Sequence, residues 1–347
     1  MTKPIRPVMP EPPQARVDGR YKVRSEDFGV IELPAYLPSG DGTHTFVWME
    51  KQGLSTLDAI RVLAEATGTQ ARDYGYAGLK DAQAVTRQWI SIEHADPAAF
   101  RDLELDAVRV LEVGQHGNKL KPGHLLGNRF SILLRGAAAE QIPHLRANLE
   151  WCSTRGVPNY FGEQRFGKRG SNLDQGLAIL RDPKPKQKSY KFAPRILKLL
   201  LSAVQSEVFN RVLRARIESF DQLQDGDLAW IHDTGASFTV DDVAAERPRC
   251  DAFEISPTGP IPGPKMLRAK AEPGALEDRV MAEMDLSFDA FGFSRAHRGG
   301  RRSLRLPVTK PVVEEAPDGA RVEFELPSGS YATSVLRLLL VDPPWFG

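Results

Sequence analysis

Apolar and polar residues alternate from Tyr21 to Leu33, with Tyr21, Val23, Phe28, Val30 and Leu33 at the repeating positions. A period of two predicts a strand. His44 to Met49 (HTFVWM) reads as a second strand, after a loop containing Ser39-Gly40-Asp41-Gly42. The period then changes. Leu57, Ile60 and Leu63 recur at helical spacing, with Ser55 or Thr56 as the cap and Gly68 as the stop. Alternation returns over Ala84 to Ile92, followed by a helix around Pro97 to Leu105 and strands at Val108 to Val113 and Phe130 to Leu134. Next comes a helix at Gln141 to Trp151; Ile196, Leu200, Ala203, Val204, Val208, Val212 and Leu213 then predict a long amphipathic helix opened by Pro194. Past a stretch rich in Asp, Pro and Gly, Arg321 to Leu326 (RVEFEL) reads as a strand, and Thr333 to Val341 fits helix or strand equally. This order predicts an α+β protein. A mixed domain spans 21–155 and 308–347, a second domain is inserted over 156–307, and residues 1–20 form a flexible tail.

Composition leaves the class unchanged and narrows the setting. The chain has 347 residues, enough for a large core in one or two domains. Cys152 and Cys250 have no metal-type spacing and cannot build a disulfide framework, as expected of a reducing cytoplasm. The proline-rich start lacks an apolar signal core, and no apolar run is as long as a membrane span. A monomer is expected, because no apolar interface stripe stands out.

Charge changes the picture more. Lys and Arg total 46 against 45 Asp and Glu, yet the two signs are segregated. Val113–Ala139, Pro183–Ser206 and Ala290–Val313 contain no acid and many cations, among them Lys184, Lys186, Lys188, Lys191, Arg195, Lys198, Arg295 and Arg298. Any one such tract is as often a solvated surface. Three together point to a phosphate backbone, and so to a nucleic acid.

The tract YAGLKDAQAVTRQW, Tyr76 to Trp89, carries the candidate chemistry. Asp81 follows Lys80 in a loop that Gly75 and Gly78 are expected to let turn tightly, and a strand follows. Taken singly, such an acid is usually a surface charge. Several tracts in one order resemble the TruD pseudouridine synthases, which isomerise uridine 13 of tRNA. They are EDFGVIE (Glu26–Glu32), the Asp81 tract, GHLLGNRFSI (Gly123–Ile132), GVPNYFGEQRFG (Gly156–Gly167), LLSAVQSEVFN (Leu200–Asn210) and LPSGSYATSVLR (Leu326–Arg337). The resemblance implies a V-shaped molecule with a mixed-sheet pseudouridine synthase catalytic domain and an inserted α/β TRUD domain. It implies that Asp81 is the catalytic aspartate, that Phe28, Asn128 and Tyr331 contact the target nucleotide, and that Phe130 stacks on the base. Two positions depart from the family's usual residues: Tyr331 stands for Phe, and Leu338 for a Glu.

The chemistry fits these residues. Pseudouridine formation breaks the N1–C1′ bond, turns the uracil and joins C5 to C1′, with no redox change and no group donor. The sequence has no Rossmann or Walker fingerprint and no histidine ligand cluster, so no cofactor or metal is expected. A carboxylate at Asp81 can stabilise positive character at the sugar, attack it, or take a proton from C2′. A carboxylate that must stay charged away from water needs a cation nearby. Lys80, a candidate substrate contact, is its neighbour in sequence, and Arg337 is the candidate partner. Aromatic rings at 28, 130 and 331 would offset the cost of extracting the base, although such rings are usually core. Asn128 offers a donor and an acceptor to a uracil edge. Tyr160, Phe161 and Phe166 read as packing residues, and Arg165 and Lys168 as phosphate contacts. Two other readings compete: an RNA-binding protein or chaperone without catalysis, and a glycosidic hydrolase with Glu163 as its second acid.

Overall fold

The computed structural model describes residues 3–101, 103–182 and 184–341. Residues 1–2 of the expected tail and 342–347 of the expected C-terminal part lie outside them. The chain divides into two compact units. Among the described residues, one holds Pro12–Ser153 and Val308–Val341, and the other Lys3–Glu11 and Thr154–Pro307.

The first unit opens with strands β1 (Phe28–Pro34), β2 (His44–Gln52), β3 (Tyr74–Tyr76), β4 (Val85–Glu93), β5 (Glu104–Leu105), β6 (Val108–His116) and β7 (Leu125–Arg135). Helix α1 (Thr56–Thr67) lies between β2 and β3, and α2 (Ile142–Arg155) follows β7. Within the second unit come β8 (Val157–Pro158), α3 (Ser171–Leu180), α4 (Pro185–Ser189), α5 (Pro194–Ala215), β9 (Leu228–Ile231), β10 (Ser237–Thr239), α6 (Val243–Asp251), β11 (Ile255–Ile261), α7 (Ala271–Glu283), β12 (Gly300–Ser303) and β13 (Arg305–Leu306). The first unit resumes with β14 (Thr309–Ala316), β15 (Gly319–Pro327) and α8 (Ala332–Leu339).

Its nine-stranded sheet runs β14-β15-β7-β1-β4-β2-β6-β5, with β3 also on β4. β1 and β4 are parallel and the remaining pairs antiparallel, so the sheet is mixed. Helix α1 packs Ala59, Ile60, Leu63 and Ala64 onto Val47, Met49, Ile90 and Ile92. Leu57, at a helical apolar position, instead faces solvent. Ser55 caps α1 by accepting from Asp58 N, and Gly68 closes it with φ 68°.

The second unit has its own core. α5 is buried along much of its length and packs with α3 and α7 through Leu177, Leu200, Val204, Val208 and Met281. A four-stranded antiparallel sheet, β10-β9-β11-β12, supports its other side. Arg301 and Glu277 form a buried ion pair at 2.7 Å. β8 and β13 pair antiparallel, which brings the two ends of the inserted segment side by side.

Two expectations are corrected. The strand expected from Tyr21 begins only at Phe28. Lys22 has φ 55°, and Ser25–Asp27 form a 3₁₀ turn whose Asp27 accepts from Arg24 N and is gripped by Arg135 at 2.7 and 2.8 Å. The helix expected over Pro97–Leu105 is a 3₁₀ turn at Pro97–Phe100 followed by β5. The N-terminal segment is anchored at several points. Ile5 N donates to Glu207, Arg16 Nε to the Arg337 carbonyl, and buried Val17 bridges to Leu340.

Candidate active site

Asp81 lies in the loop joining β3 to β4, and that loop is fixed from behind. Gln88 Nε2 donates to the Gly78 carbonyl at 3.0 Å, and the Lys80 amide donates to Thr56 Oγ1 at 2.8 Å. Thr56 in turn donates to Gln88 Oε1. Lys51 Nζ donates to the carbonyls of Leu54 and of Asp81 itself, at 2.6 and 2.8 Å. The Ala77 carbonyl accepts from Gly123 N. Thr56 opens α1 while Lys51 and Gln88 stand on adjacent strands, with Lys51 opposite Thr86 and Met49 opposite Gln88. The loop therefore inherits the rigidity of the sheet.

Neither glycine of this loop has a left-handed φ, contrary to expectation. Gly75 is required by close approach, since a Cβ there would meet the Leu120 carbonyl at 2.4 Å. Gly78 has only ordinary contacts.

With its main chain held, Asp81 points outward. Its side chain is 59% exposed and its Oδ2 accepts from Lys22 Nζ at 2.8 Å. Oδ1 makes no hydrogen bond among the described residues. Lys22 also sits 4.3 Å over the Phe28 ring, so its ammonium is positioned by a carboxylate and a π face together. Its left-handed backbone costs about 1 kcal/mol or more, strain of a kind that clusters at functional sites. The cation on Asp81 is thus Lys22 and not Arg337. Lys22 lies 59 residues away in a segment expected to be strand, and no spacing rule could have found it. Arg337 stands in the same neighbourhood: its field and that of Asp81 both reach the Tyr21 phenol, which burial pushes up.

Lys80 turns the other way. Its Nζ binds Glu32 at 3.0 Å, with both side chains almost fully buried. Burial pushes the Glu32 carboxyl up, while Lys80 and the Trp89 amide pull it down. This arrangement makes Lys80 an anchor of the loop. Lys51 is also buried, and burial lowers its ammonium to about 8, against the opposing pull of Asp81.

The sheet register gathers most of the other candidates. Phe130 lies opposite Val30 on β1 and Phe324 on β15, and Asn128 lies opposite Glu32 and Leu326. Phe28, Asn128 and Phe130 therefore share one face with Glu32. Phe28 and Phe130 pack edge to face at 6.1 Å, and only 3% and 6% of their surfaces are exposed. Asn128 is half-buried, and its Oδ1 has no hydrogen-bond partner among the described residues. Tyr331 is 58% exposed and stands at the position that precedes α8, without a side-chain capping bond. Tyr160 and Phe166 are core residues of the other unit. Glu163 also belongs to that unit, in a 3₁₀ turn at Glu163–Phe166.

No helix among the described residues is long and apolar enough to cross a membrane. The family model for tRNA pseudouridine synthase D (TruD) matches residues 13–187 and 182–339. A tRNA pseudouridine synthase D from Geobacter metallireducens is 41% identical, covering 92% of this chain and 94% of that protein. The protein of the same name from Thermus thermophilus is 42% identical over 92% and 88%. The crystal structure of a putative tRNA pseudouridine synthase D from Methanosarcina mazei superposes with a TM-score of 0.82 at 23% identity, covering 96% of each chain, and so shares the fold. Matches of this extent, over a mixed sheet that presents a loop-borne aspartate, show that the chain belongs to the tRNA pseudouridine synthase D (TruD) family.

Proposed function

We propose that this protein isomerises uridine to pseudouridine in tRNA, at position 13, with Asp81 as the essential carboxylate. The observation that carries the reading is Asp81 itself: an exposed carboxylate on a loop whose backbone is tied down on several sides, with one oxygen bound to Lys22 and the other open. The position in tRNA rests on the family resemblance.

Each part has a chemical task. Breaking N1–C1′ develops positive character at the sugar, and a carboxylate held at a fixed point stabilises it without having to reorganise. The open Oδ1 is the atom that would face the sugar, whether the carboxylate attacks C1′ or takes the C2′ proton. Lys22 keeps the group aimed while substrate displaces water. Asn128, with its unpaired Oδ1, offers an acceptor for the uracil N3–H. Tyr331 is the exposed ring and the readiest platform for an extruded base, worth about 1–3 kcal/mol when stacked. Lys22 covers the face of Phe28, and Phe130 meets that ring edge to face, so these two buried rings would meet the base through their edges.

The test is nucleoside analysis of unmodified tRNA after incubation with the protein. Pseudouridine at position 13, with no free uracil, is the expected product. Free uracil and an abasic site would mean hydrolysis. Bound but unchanged tRNA would mean an RNA-binding protein without catalysis.

A further inference from the structure

The acid-free tracts have different fates in the folded chain. Arg301 and Arg305 turn inward, the first onto Glu277 and the second onto the carbonyls of Arg155 and Cys250. Arg135 and Arg129 are taken up by Asp27 and Glu325. These cations are structural. Those of the middle tract are not. Lys184, Lys186, Lys191, Arg195 and Lys198, on and around α4 and the first turns of α5, are all exposed. None has an ion-pair partner among the described residues; only Lys188 does, with Asp182.

The fold adds to this cluster from a distant part of the sequence. His297 is buried, and its Nε2 lies 3.2 Å from the Lys198 carbonyl. A carbonyl only accepts, so Nε2–H donates, and Nδ1 then accepts from Ser294 Oγ at 2.7 Å. This link fastens the Ser294–His297 turn to α5. The flanking Arg295 and Arg298, also exposed and without ion pairs among the described residues, thereby join the lysines. Beside them Tyr190 is 73% exposed, with Ile196 and Leu199 at 45% and 39%.

Like charges gathered without counter-charges repel one another and weaken the folded state, so chance packing does not favour such an arrangement. A polyanion relieves the repulsion. We propose that this face of the inserted unit is a second tRNA contact, separate from the Asp81 site: Lys186, Lys191, Arg195, Lys198, Arg295 and Arg298 bind backbone phosphates, and Tyr190 stacks on an exposed base. The choice of tRNA as occupant rests on the proposed function. The contact chemistry rests on the cations and the ring.

The experiment measures tRNA affinity against salt for the intact protein, for Lys186→Gln/Lys191→Gln/Arg195→Gln/Lys198→Gln, and for Tyr190→Ala, with kcat and KM for each. Each lost phosphate contact lowers the slope of log K against log salt by ~0.7–0.9, so the fourfold variant should lose about 3 in slope. Its KM should rise at least tenfold while kcat at saturating tRNA is kept. Tyr190→Ala should bind about tenfold more weakly with its salt slope unchanged. An unaltered slope in the fourfold variant would overturn the proposal, as would a fall in kcat with KM unchanged. Binding is read without turnover. A protein that binds tRNA but makes no pseudouridine would therefore end the catalytic reading and leave this surface to be judged on its slope.

Discussion

At the scale of single residues, the account turns on which charges face Asp81. Lys22→Met removes a charge-assisted hydrogen bond worth about 1.5–3 kcal/mol, so kcat should fall about 10- to 100-fold with KM nearly unchanged, and Lys22→Arg should restore part of it. Steady-state kinetics on tRNA checks this. Lys51 acts from behind the loop, and its sign is worked out from burial. Its folded ammonium is lowered to about 8, while in the unfolded chain it titrates near 10.4. Between those values the unfolded chain binds more protons, so this group's contribution makes stability rise with pH. Activity should move the other way, because losing that proton removes a positive charge beside Asp81. A kcat/KM limb falling near pH 8, absent in Lys51→Met on a lower plateau, is the expected profile. Asp81 stood out as a candidate in the sequence because its tract is distinctive. Lys22 and Lys51 were not: each reaches the loop through tertiary packing, across 59 and 30 residues.

At the scale of elements, periodicity recovered β1, β2, β4, α1 and α5 and failed where a polar contact overrides it. The turn before β1 is the clearest case. Asp27 is buried against Arg135, and that guanidinium holds its carboxyl below the usual range. The stability it contributes is present above its unfolded value near 3.9 and is lost as pH falls toward the lower folded value. Asp27→Asn leaves Arg135 half-paired and should cost about 3–5 kcal/mol in urea unfolding at neutral pH, with a much smaller difference from the parent in strong acid. β14 gave no clear signal, since most of its residues face solvent and it is defined by pairing with β15. α8 fitted strand as well as helix because it is only eight residues long, too short for the period alone to decide.

At the scale of the whole molecule, one compact unit is built on a broad mixed sheet and the other on a helical core with a small antiparallel sheet. The inserted unit's ends meet through β8 and β13, and its core is its own. A fragment of residues 154–307 should therefore fold, with a cooperative thermal transition by circular dichroism. That transition should be lowered by loss of the Ile5–Glu207 hydrogen bond and the packing of Met9. Net charge gave no sign of a nucleic-acid partner where local charge pointed to one, and the fold separated cations spent on ion pairs from those left to solvent. The central claim is that Asp81 carries the isomerisation. C5 loses its hydrogen when it bonds to C1′, so tritium release from C5-tritiated uridine in unmodified tRNA reports the reaction directly. Release by the intact protein and none by Asp81→Ala or Asp81→Asn, with tRNA still bound, is the predicted result; equal release by all three would contradict it.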